Sequence, residues 1–207
     1  MGGVFQRLRH ALGHPASDTL KTNDYIPNTM TTLIRPSQAS DVRRLTAIYA
    51  HHVVHGSGSF ELIAPDENEM ARRRTAVLDN GLPYLVAEVD GAVMGYAYAN
   101  LFRPRPAYRY LVENSVYIDH AAQRLSLGRA LMAELIQRCE AQGARQMIAV
   151  IGDSANLGSI RLHQGLGFEQ VGLISSSGWK HQRWLDTVMM QRALGLGDLT
   201  PPHTGTP

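Results

Sequence analysis

Residues 111–133 read LVENSVYIDHAAQRLSLGRALMA, and this stretch decides how the chain folds. The pattern predicts a strand from Glu113 to Asp119, a short loop, and a helix whose first turn lies in Gln123–Gly128. A glycine-containing turn that leads from a strand into a helix presents unpaired backbone amides and the positive end of the helix dipole. These features suit a pyrophosphate group. We therefore predict an anion-binding turn, with the carboxylate of Glu113 at the opposite end of the strand.

The composition limits the kind of protein that this chain can be. Its 207 residues suit one domain, and 44% hydrophobic with 18% charged residues is typical of a globular protein. A net charge of +2 without a basic stripe gives no indication of nucleic-acid binding, and no run approaches the roughly 20 apolar residues of a membrane helix. The single cysteine, Cys139, indicates a reducing compartment, which we take to be the cytoplasm. We predict no metal site.

Turn-rich segments flank the predicted domain. Residues 1–30 show no sustained hydrophobic period, and we predict that they form a disordered extension. Residues 31–194 are predicted to fold. Residues 195–207 are rich in Gly, Pro and Thr, and we predict a flexible tail.

Within the domain, the residue pattern predicts a strand, two helices, three strands, a helix, a strand, a helix and two strands. Asp90-Gly91 between two apolar runs is typical of a β-hairpin. The continuous apolar run 147–151 predicts a strand buried on both faces, and residues 175–183 are predicted to form a loop. This order indicates a mixed sheet with helices on both faces, α/β or α+β in class.

Several segments together carry a family resemblance. They are QRLSLG (123–128), LVAEVDG (85–91) with GYAY (95–98), RPRPAY (103–108), VENSVY (112–117), AVIG (149–152) with SIRLH (159–163) and LGF (166–168), and GWKH (178–181) with WLD (184–186). The first resembles the Gln/Arg-x-x-Gly-x-Gly/Ala loop of GCN5-related N-acetyltransferases, the GNAT superfamily. The others, in this order, resemble its phosphinothricin N-acetyltransferase-like group.

The resemblance implies a fold and an activity. The fold is a mostly antiparallel sheet of about seven strands that is splayed at its middle. The activity is transfer of an acetyl group from acetyl-CoA to the α-amine of a small amino acid or analogue, by direct attack in a ternary complex. Phosphinothricin, methionine sulfoximine and methionine sulfone are the implied acceptors, and a homodimer is the implied assembly.

The resemblance also assigns the cofactor-binding residues. Residues 123–129 would hold the pyrophosphate, a backbone amide of residues 116–118 would polarise the thioester carbonyl, and Asn156 and Ser159 would lie beside the pantetheine arm. The full set is Val116, Tyr117, Ile118, Gln123, Arg124, Leu125, Ser126, Leu127, Gly128, Arg129, Asn156 and Ser159. Simple helix capping would explain Asn156 and Ser159 equally well.

Two residues are candidates for proton transfer. An ammonium cannot attack a thioester until a base removes a proton, and Glu113 could do this directly or through water. The alternative is that Glu113 is merely exposed or forms a structural ion pair. By resemblance, His163 occupies the position of the acid that protonates the departing thiolate. Because histidine titrates near neutrality, His163 could serve as acid or as base, or be structural.

The acceptor pocket is predicted from two loops. Arg103, Arg105 and Tyr108 could clamp a carboxylate or phosphinate, although a basic surface loop is the alternative. By resemblance, Phe60 and Lys180 form other walls of the pocket. We expect the loops 103–108 and 175–183 to close a small pocket.

Ser126 departs from the family pattern, which has glycine there. A positive φ at this residue would cost about 1 kcal/mol or more relative to glycine, whereas ordinary helical dihedrals would cost nothing. We expect helical dihedrals, since serine is acceptable in the first turn of a helix.

Two rival functions are considered. A protein or peptide N-terminal acetyltransferase would need an open groove, whereas the two predicted loops favour a small pocket. A non-catalytic acyl-CoA sensor would not need both Glu113 and His163.

Overall fold

The computed structural model describes residues 31–123 and 125–202, which are built around one seven-stranded sheet in the order β1-β2-β3-β4-β5-β7-β6. The strands are β1 (Thr32–Pro36), β2 (Tyr84–Val89), β3 (Ala92–Leu101), β4 (Leu111–Ile118), β5 (Gln146–Gly152), β6 (Glu169–Lys180) and β7 (Arg183–Ala193). The helices are α1 (Val42–His55), α2 (Glu67–Asp79), α3 (Leu127–Ala141) and α4 (Leu157–Gln164). Within this part of the chain β4 and β5 pair in parallel and the other neighbours are antiparallel. The predicted mixed, mostly antiparallel sheet is confirmed.

The hairpin between β2 and β3 forms where the sequence predicts it. Asp90 and Gly91 have φ angles of 48° and 82°. A type I′ turn needs a positive φ at both central residues, which is why Asp-Gly favours this connection. The hairpin fixes the register of the tyrosines on the two strands, because Tyr84 lies opposite Tyr98.

Hydrophobic clusters cover both faces of the sheet. Helix α3 packs on the face that carries Leu85, Ala97 and Val112. Helices α1 and α2 pack on the opposite face, which carries Tyr84 and Tyr96. This arrangement confirms the predicted helices on both faces of the sheet.

The sheet is splayed at its middle, as the resemblance implies. Strands β4 and β5 pair along Leu111–Asn114 and Gln146–Ala149 and then separate. Beyond that point β4 stays paired with β3 and β5 stays paired with β7. Two strands that each keep only one neighbour leave a gap between them.

Some predicted elements are wrong. The segment predicted as a loop at 175–183 is mostly strand, because β6 and β7 pair up to Lys180 and Arg183, and the connection is a tight turn with a positive φ at His181 and Gln182. Strand β5 is not buried on both faces, since Val150 is 39% exposed. Helix α3 begins at Leu127, four residues later than predicted.

The limits of the domain stay a prediction. Residues 1–30, Arg124 and residues 203–207 lie outside the described residues. At the start of the predicted tail, Arg145 donates hydrogen bonds to the carbonyl oxygens of Gly197 and Thr200, at 2.8 and 2.9 Å. None of the helices in the described part of the chain has the length and apolar character needed to cross a bilayer.

Candidate active site

A cleft of about 570 Å³ lies where β4 and β5 separate. Its walls are the ends of these strands, residues 114–118 and 149–152, together with the first turn of α4. A second cavity of about 340 Å³ follows at the start of α3, along residues 126–129. The two cavities adjoin and outline one channel from the splayed strands to a helix N-terminus, since they share Ile118, Gln123, Gly158 and Leu162.

This channel brings together most of the residues predicted to bind the cofactor. Ten of the twelve line one cavity or the other: Val116, Tyr117, Ile118, Gln123, Ser126, Leu127, Gly128, Arg129, Asn156 and Ser159. Leu125 lines neither cavity, and Arg124 lies outside the described residues. A channel that ends at free helix amides suits a ligand with a long arm and a phosphate group.

Two backbone amides of β4 point into the gap. The amide of Asp119 donates to the carbonyl of Met94 in β3 at 2.8 Å. Because successive amides of a strand alternate in direction, those of Val116 and Ile118 face the opposite side, where β5 has moved away. Both can donate to an oxygen held in the cleft.

His52 lies on the side of β4 that faces the gap, and the sequence does not predict it as a site residue. Its Nε2 lies 2.8 Å from the carbonyl oxygen of Ile118, and the side chain lines the cleft. A polar residue at a sheet-facing position of a helix is a signal for such a site, but the helical spacing alone assigns His52 to the packing face of α1.

Ser126 has a left-handed conformation, so the expectation of helical dihedrals is wrong. Its φ and ψ are 59° and 11°, and its side chain makes no capping hydrogen bond. The chain must change direction between the turn His120–Ala122 and α3, and the left-handed residue makes that change. A left-handed conformation costs a residue with a Cβ about 1 kcal/mol or more, and glycine largely avoids this cost.

The Ser126→Gly variant is expected to be more stable than the wild type by about 1 kcal/mol, because it removes this strain. For a chain of this size the melting temperature should rise by roughly 2–4 °C. Calorimetry or chemical denaturation measures the change. The Ser126→Ala variant is the matched control, since it loses the hydroxyl but keeps the Cβ, and its stability should stay at the wild-type level. A destabilised Ser126→Gly variant would contradict the strain argument.

Asn114 and His163 form a buried hydrogen-bond chain at the point where the strands separate. The Nδ2 of Asn114 donates to the carbonyl of Ile148 in β5 at 3.0 Å, and its Oδ1 lies 2.9 Å from Nε2 of His163. The other ring nitrogen, Nδ1, donates to the carbonyl of Ser159 at 2.8 Å. Asn114 therefore connects β4 to β5 at the last paired position, a role that no local pattern in the sequence indicates.

The environment of His163 disfavours its charged form. The residue is 2% exposed, and burial lowers its pKa, although the hydrogen bond to Ser159 opposes this effect. Both ring nitrogens face protein oxygens, so a proton on Nε2 would be shared with Asn114. The role of His163 as acid or base stays a prediction, and the contacts point to an action through Asn114 and Ser159.

Glu113 lies on the opposite face of β4 from this chain of hydrogen bonds. Adjacent strand residues point to opposite faces, and Asn114 faces α4. Glu113 is half-buried, and the salt bridges of the described residues do not include it. Burial raises its pKa, and the nearby charge of Arg103 lowers it by less. A carboxylate that holds a proton more tightly than an exposed glutamate is suited to remove one from an ammonium.

Phe60 and Lys180 pack around segment 57–60 and are not among the residues that line the cleft. The ring of Phe60 packs against Gly152 at the end of β5 and against Gly178 in β6. Lys180 is buried, and its Nζ donates to the carbonyl of Ser59 at 2.6 Å. Burial lowers the pKa of Lys180. Both residues hold segment 57–60, whose Ser57 and Gly58 form part of the cleft wall.

The predicted clamp residues lie outside the channel. Arg103 stacks over the ring of Phe102, with its guanidinium carbon 4.2 Å from the ring centroid, and its charge acts on Glu113. Arg105 and Tyr108 are exposed on the loop before β4. Of the three, Arg103 is the one whose charge reaches the predicted base.

No group of three or more His, Cys, Asp or Glu side chains that could hold a metal occurs among residues 31–123 and 125–202.

Comparisons with known proteins agree with this geometry. The model of the acetyltransferase (GNAT) family matches residues 47–168. The chain is 52% identical to a phosphinothricin N-acetyltransferase of Alcaligenes faecalis over 82% of its length and 86% of the relative's. It is 38% identical to an L-methionine sulfoximine/L-methionine sulfone acetyltransferase of Salmonella typhimurium, over 78% and 94% of the two chains. A solved phosphinothricin acetyltransferase from Sinorhizobium meliloti in complex with AcCoA superposes with a TM-score of 0.83 at 49% identity, over 86% and 96% of the chains.

Proposed function

Because the chain belongs to the acetyltransferase (GNAT) family, it is an acyltransferase that uses acetyl-CoA, and we propose that it acetylates the α-amine of a small amino acid or analogue. Phosphinothricin, methionine sulfoximine and methionine sulfone are the proposed acceptors, since relatives that act on them share 38% to 52% of the residues. The observation that carries the proposal is the channel between β4 and β5, which begins at Asn114, the residue after Glu113 in β4, and ends at the N-terminus of α3.

The proposed mechanism assigns each step to groups of this chain. Glu113, directly or through water, removes a proton from the ammonium of the acceptor. The amine then forms a bond to the thioester carbonyl carbon, and the amide of Val116 or Ile118 donates to the carbonyl oxygen as negative charge develops there. The bond from carbon to sulfur breaks, CoA leaves as a thiolate, and the nitrogen, which is positively charged after the attack, loses its second proton. His163, acting with Asn114 and Ser159, is proposed to pass this proton to the thiolate.

The binding of acetyl-CoA is proposed to follow the channel. The amides of residues 127–129, with the charge of Arg129, would hold the pyrophosphate at the helix N-terminus. The pantetheine arm would lie beside Asn156 and Ser159, in the gap between the strands.

An assay of thiol release from acetyl-CoA tests the proposed function. The panel contains phosphinothricin, L-methionine sulfoximine, L-methionine sulfone and unmodified amino acids, and mass spectrometry identifies the products. We expect release of CoA with at least one of the first three acceptors and one acetyl group on its α-nitrogen. Absence of turnover with every small amine would refute the proposal.

The same assay separates the rival functions. A protein N-terminal acetyltransferase would acetylate peptides and leave free amino acids unchanged. A sensor would bind acetyl-CoA without releasing a thiol in the presence of any acceptor.

Three further points belong to the proposal. The edge strand β6 exposes Val171, Leu173 and Ile174, and an apolar sheet edge of this kind supports a homodimer. The buried thiol of Cys139 suits a reducing compartment, which supports a cytoplasmic location. Acetylation of phosphinothricin would give its host resistance to that herbicide.

A further inference from the structure

A cavity of about 320 Å³ lies between helices α1 and α2 and strands β2 and β3. We call it the tyrosine cavity, because Tyr49, Tyr84, Tyr96 and Tyr98 form much of its wall. Its volume is at the lower end of the range for small-molecule sites, about 300–1,000 Å³. It shares no lining residue with the channel between β4 and β5.

The tyrosine cavity reaches the neighbourhood of Glu113. Asn100, which lines the cavity, is the partner of Glu113 across β3 and β4, and Tyr98 is the partner of Ser115. Side chains of directly opposed residues lie on the same face of a sheet. The cavity and the proposed base therefore share the face of the sheet that α1 and α2 cover.

Two tyrosine hydroxyls in the wall have no partner among residues 31–123 and 125–202. Tyr84 is 3% exposed and Tyr96 is 1% exposed, yet neither hydroxyl makes a hydrogen bond to those residues. In the same part of the chain, every side-chain nitrogen or oxygen that is fully shielded from solvent has a partner. The two hydroxyls must therefore contact the open space of the cavity. A buried hydroxyl normally has a hydrogen-bond partner, so this pair can bind a ligand that fills the cavity.

Two other polar side chains of the wall, Tyr49 and Arg73, are already engaged. The hydroxyl of Tyr49 binds Ser59 and Glu61, each at 2.9 Å. Arg73 donates to Glu61 at 2.6 Å and to Glu69 at 2.8 Å, which balances its charge. Burial raises the pKa of Tyr84 and of Tyr96, so both hydroxyls keep their protons and can donate. The cavity therefore offers two neutral donors within an aromatic wall.

We propose, on the premise of the proposed function, that the tyrosine cavity receives the side chain of the acceptor amino acid and that Tyr84 and Tyr96 donate hydrogen bonds to an oxygen at its tip. An uncharged terminus such as a sulfone or sulfoximine fits these donors. The charge of Arg73 is already balanced by Glu61 and Glu69, so it is not available to an ionised phosphinate. We therefore expect a higher kcat/KM for methionine sulfone than for phosphinothricin.

The experiment compares the wild type with Tyr84→Phe, Tyr96→Phe and the double variant. Each change removes a hydroxyl that binds no described protein group, so the melting temperature should stay the same. The kcat/KM for L-methionine sulfone should fall about tenfold per hydroxyl, since a lost hydrogen bond to a neutral group costs about 1 kcal/mol and a buried unpaired oxygen adds to this. The kcat/KM for L-methionine, whose side chain lacks the oxygens, should change less than twofold.

The matched control is Tyr110→Phe, which removes a hydroxyl from a residue lining a different cavity at the start of β4. It should leave both values unchanged. Equal losses for the two substrates, or no loss for the sulfone, would overturn the proposal.

Calorimetric titration of L-methionine sulfone into enzyme saturated with CoA distinguishes this proposal from the proposed function. If the wild type shows no turnover but the variants bind the sulfone about tenfold more weakly, the function is wrong and the cavity assignment stands. If turnover is normal and sulfone binding by the variants is unchanged, the cavity assignment is wrong. Absence of sulfone binding by the wild type would overturn the cavity assignment as well.

Discussion

The Glu113→Gln variant is expected to turn over about a thousandfold more slowly than the wild type, because general bases typically contribute 10²–10⁴-fold to a rate. Glutamine keeps the size and hydrogen-bonding reach of the side chain but cannot accept the proton of an ammonium. The loss should therefore appear in kcat, with the affinity for acetyl-CoA nearly unchanged. Steady-state kinetics with L-methionine sulfone as acceptor measures both quantities.

The matched control for this change is Glu134→Gln. Glu134 lies on α3 in an ion pair with Arg138 at 2.8 Å, away from the cleft. The same chemical change at this position should alter kcat by less than twofold. If Glu113→Gln kept the full wild-type rate, Glu113 would not be the base.

The Gly152→Ala variant is expected to lose about a hundredfold in kcat/KM, since misplacement of site groups by about 1 Å can cost that much. A Cβ at this position would overlap the backbone oxygen of Ser57 and come within 3.0 Å of the ring of Phe60. Neither the backbone nor the ring can move without displacing segment 57–60, which forms part of the cleft wall. Steady-state kinetics measures the loss of kcat/KM. Thermal denaturation measures the loss of stability, which we expect to be about 1–3 kcal/mol because of overpacking.

Gly172→Ala is the control for Gly152→Ala. At that position the nearest atom to an added Cβ is 3.8 Å away, which is an ordinary contact. This variant should keep both its stability and its activity. Wild-type kinetics in Gly152→Ala would show that segment 57–60 is free to move without affecting the site.

The sequence predicts those parts of the fold that local chemistry determines. The turn at Asp90-Gly91 and the strand that carries Glu113 depend on neighbouring residues, and the structure has them. The splayed sheet follows from the family resemblance, since the separation of β4 from β5 depends on residues far apart in the chain.

Prediction from the sequence fails where the local structure depends on tertiary contacts. Segment 175–183 contains serine and glycine, which predict a loop, but pairing with β7 draws most of it into a strand. Ser126 has an unremarkable helical propensity, and the change of chain direction before α3 imposes its positive φ. The tyrosine cavity combines residues from α1, α2, β2 and β3, so no local pattern could indicate it.

The central claim is that Glu113 removes the proton of the acceptor amine, and the pH dependence of kcat/KM with L-methionine sulfone tests it most directly. Because burial raises the pKa of Glu113, the wild-type value should fall with decreasing pH through a midpoint above 4.5, the ordinary value for glutamate. Above that midpoint the wild-type profile should level off. The profile of Glu113→Gln should lack the transition that the carboxylate causes. Its kcat/KM should instead rise steadily with pH, because the acceptor loses its own proton in solution. Parallel profiles for the two enzymes would contradict the claim.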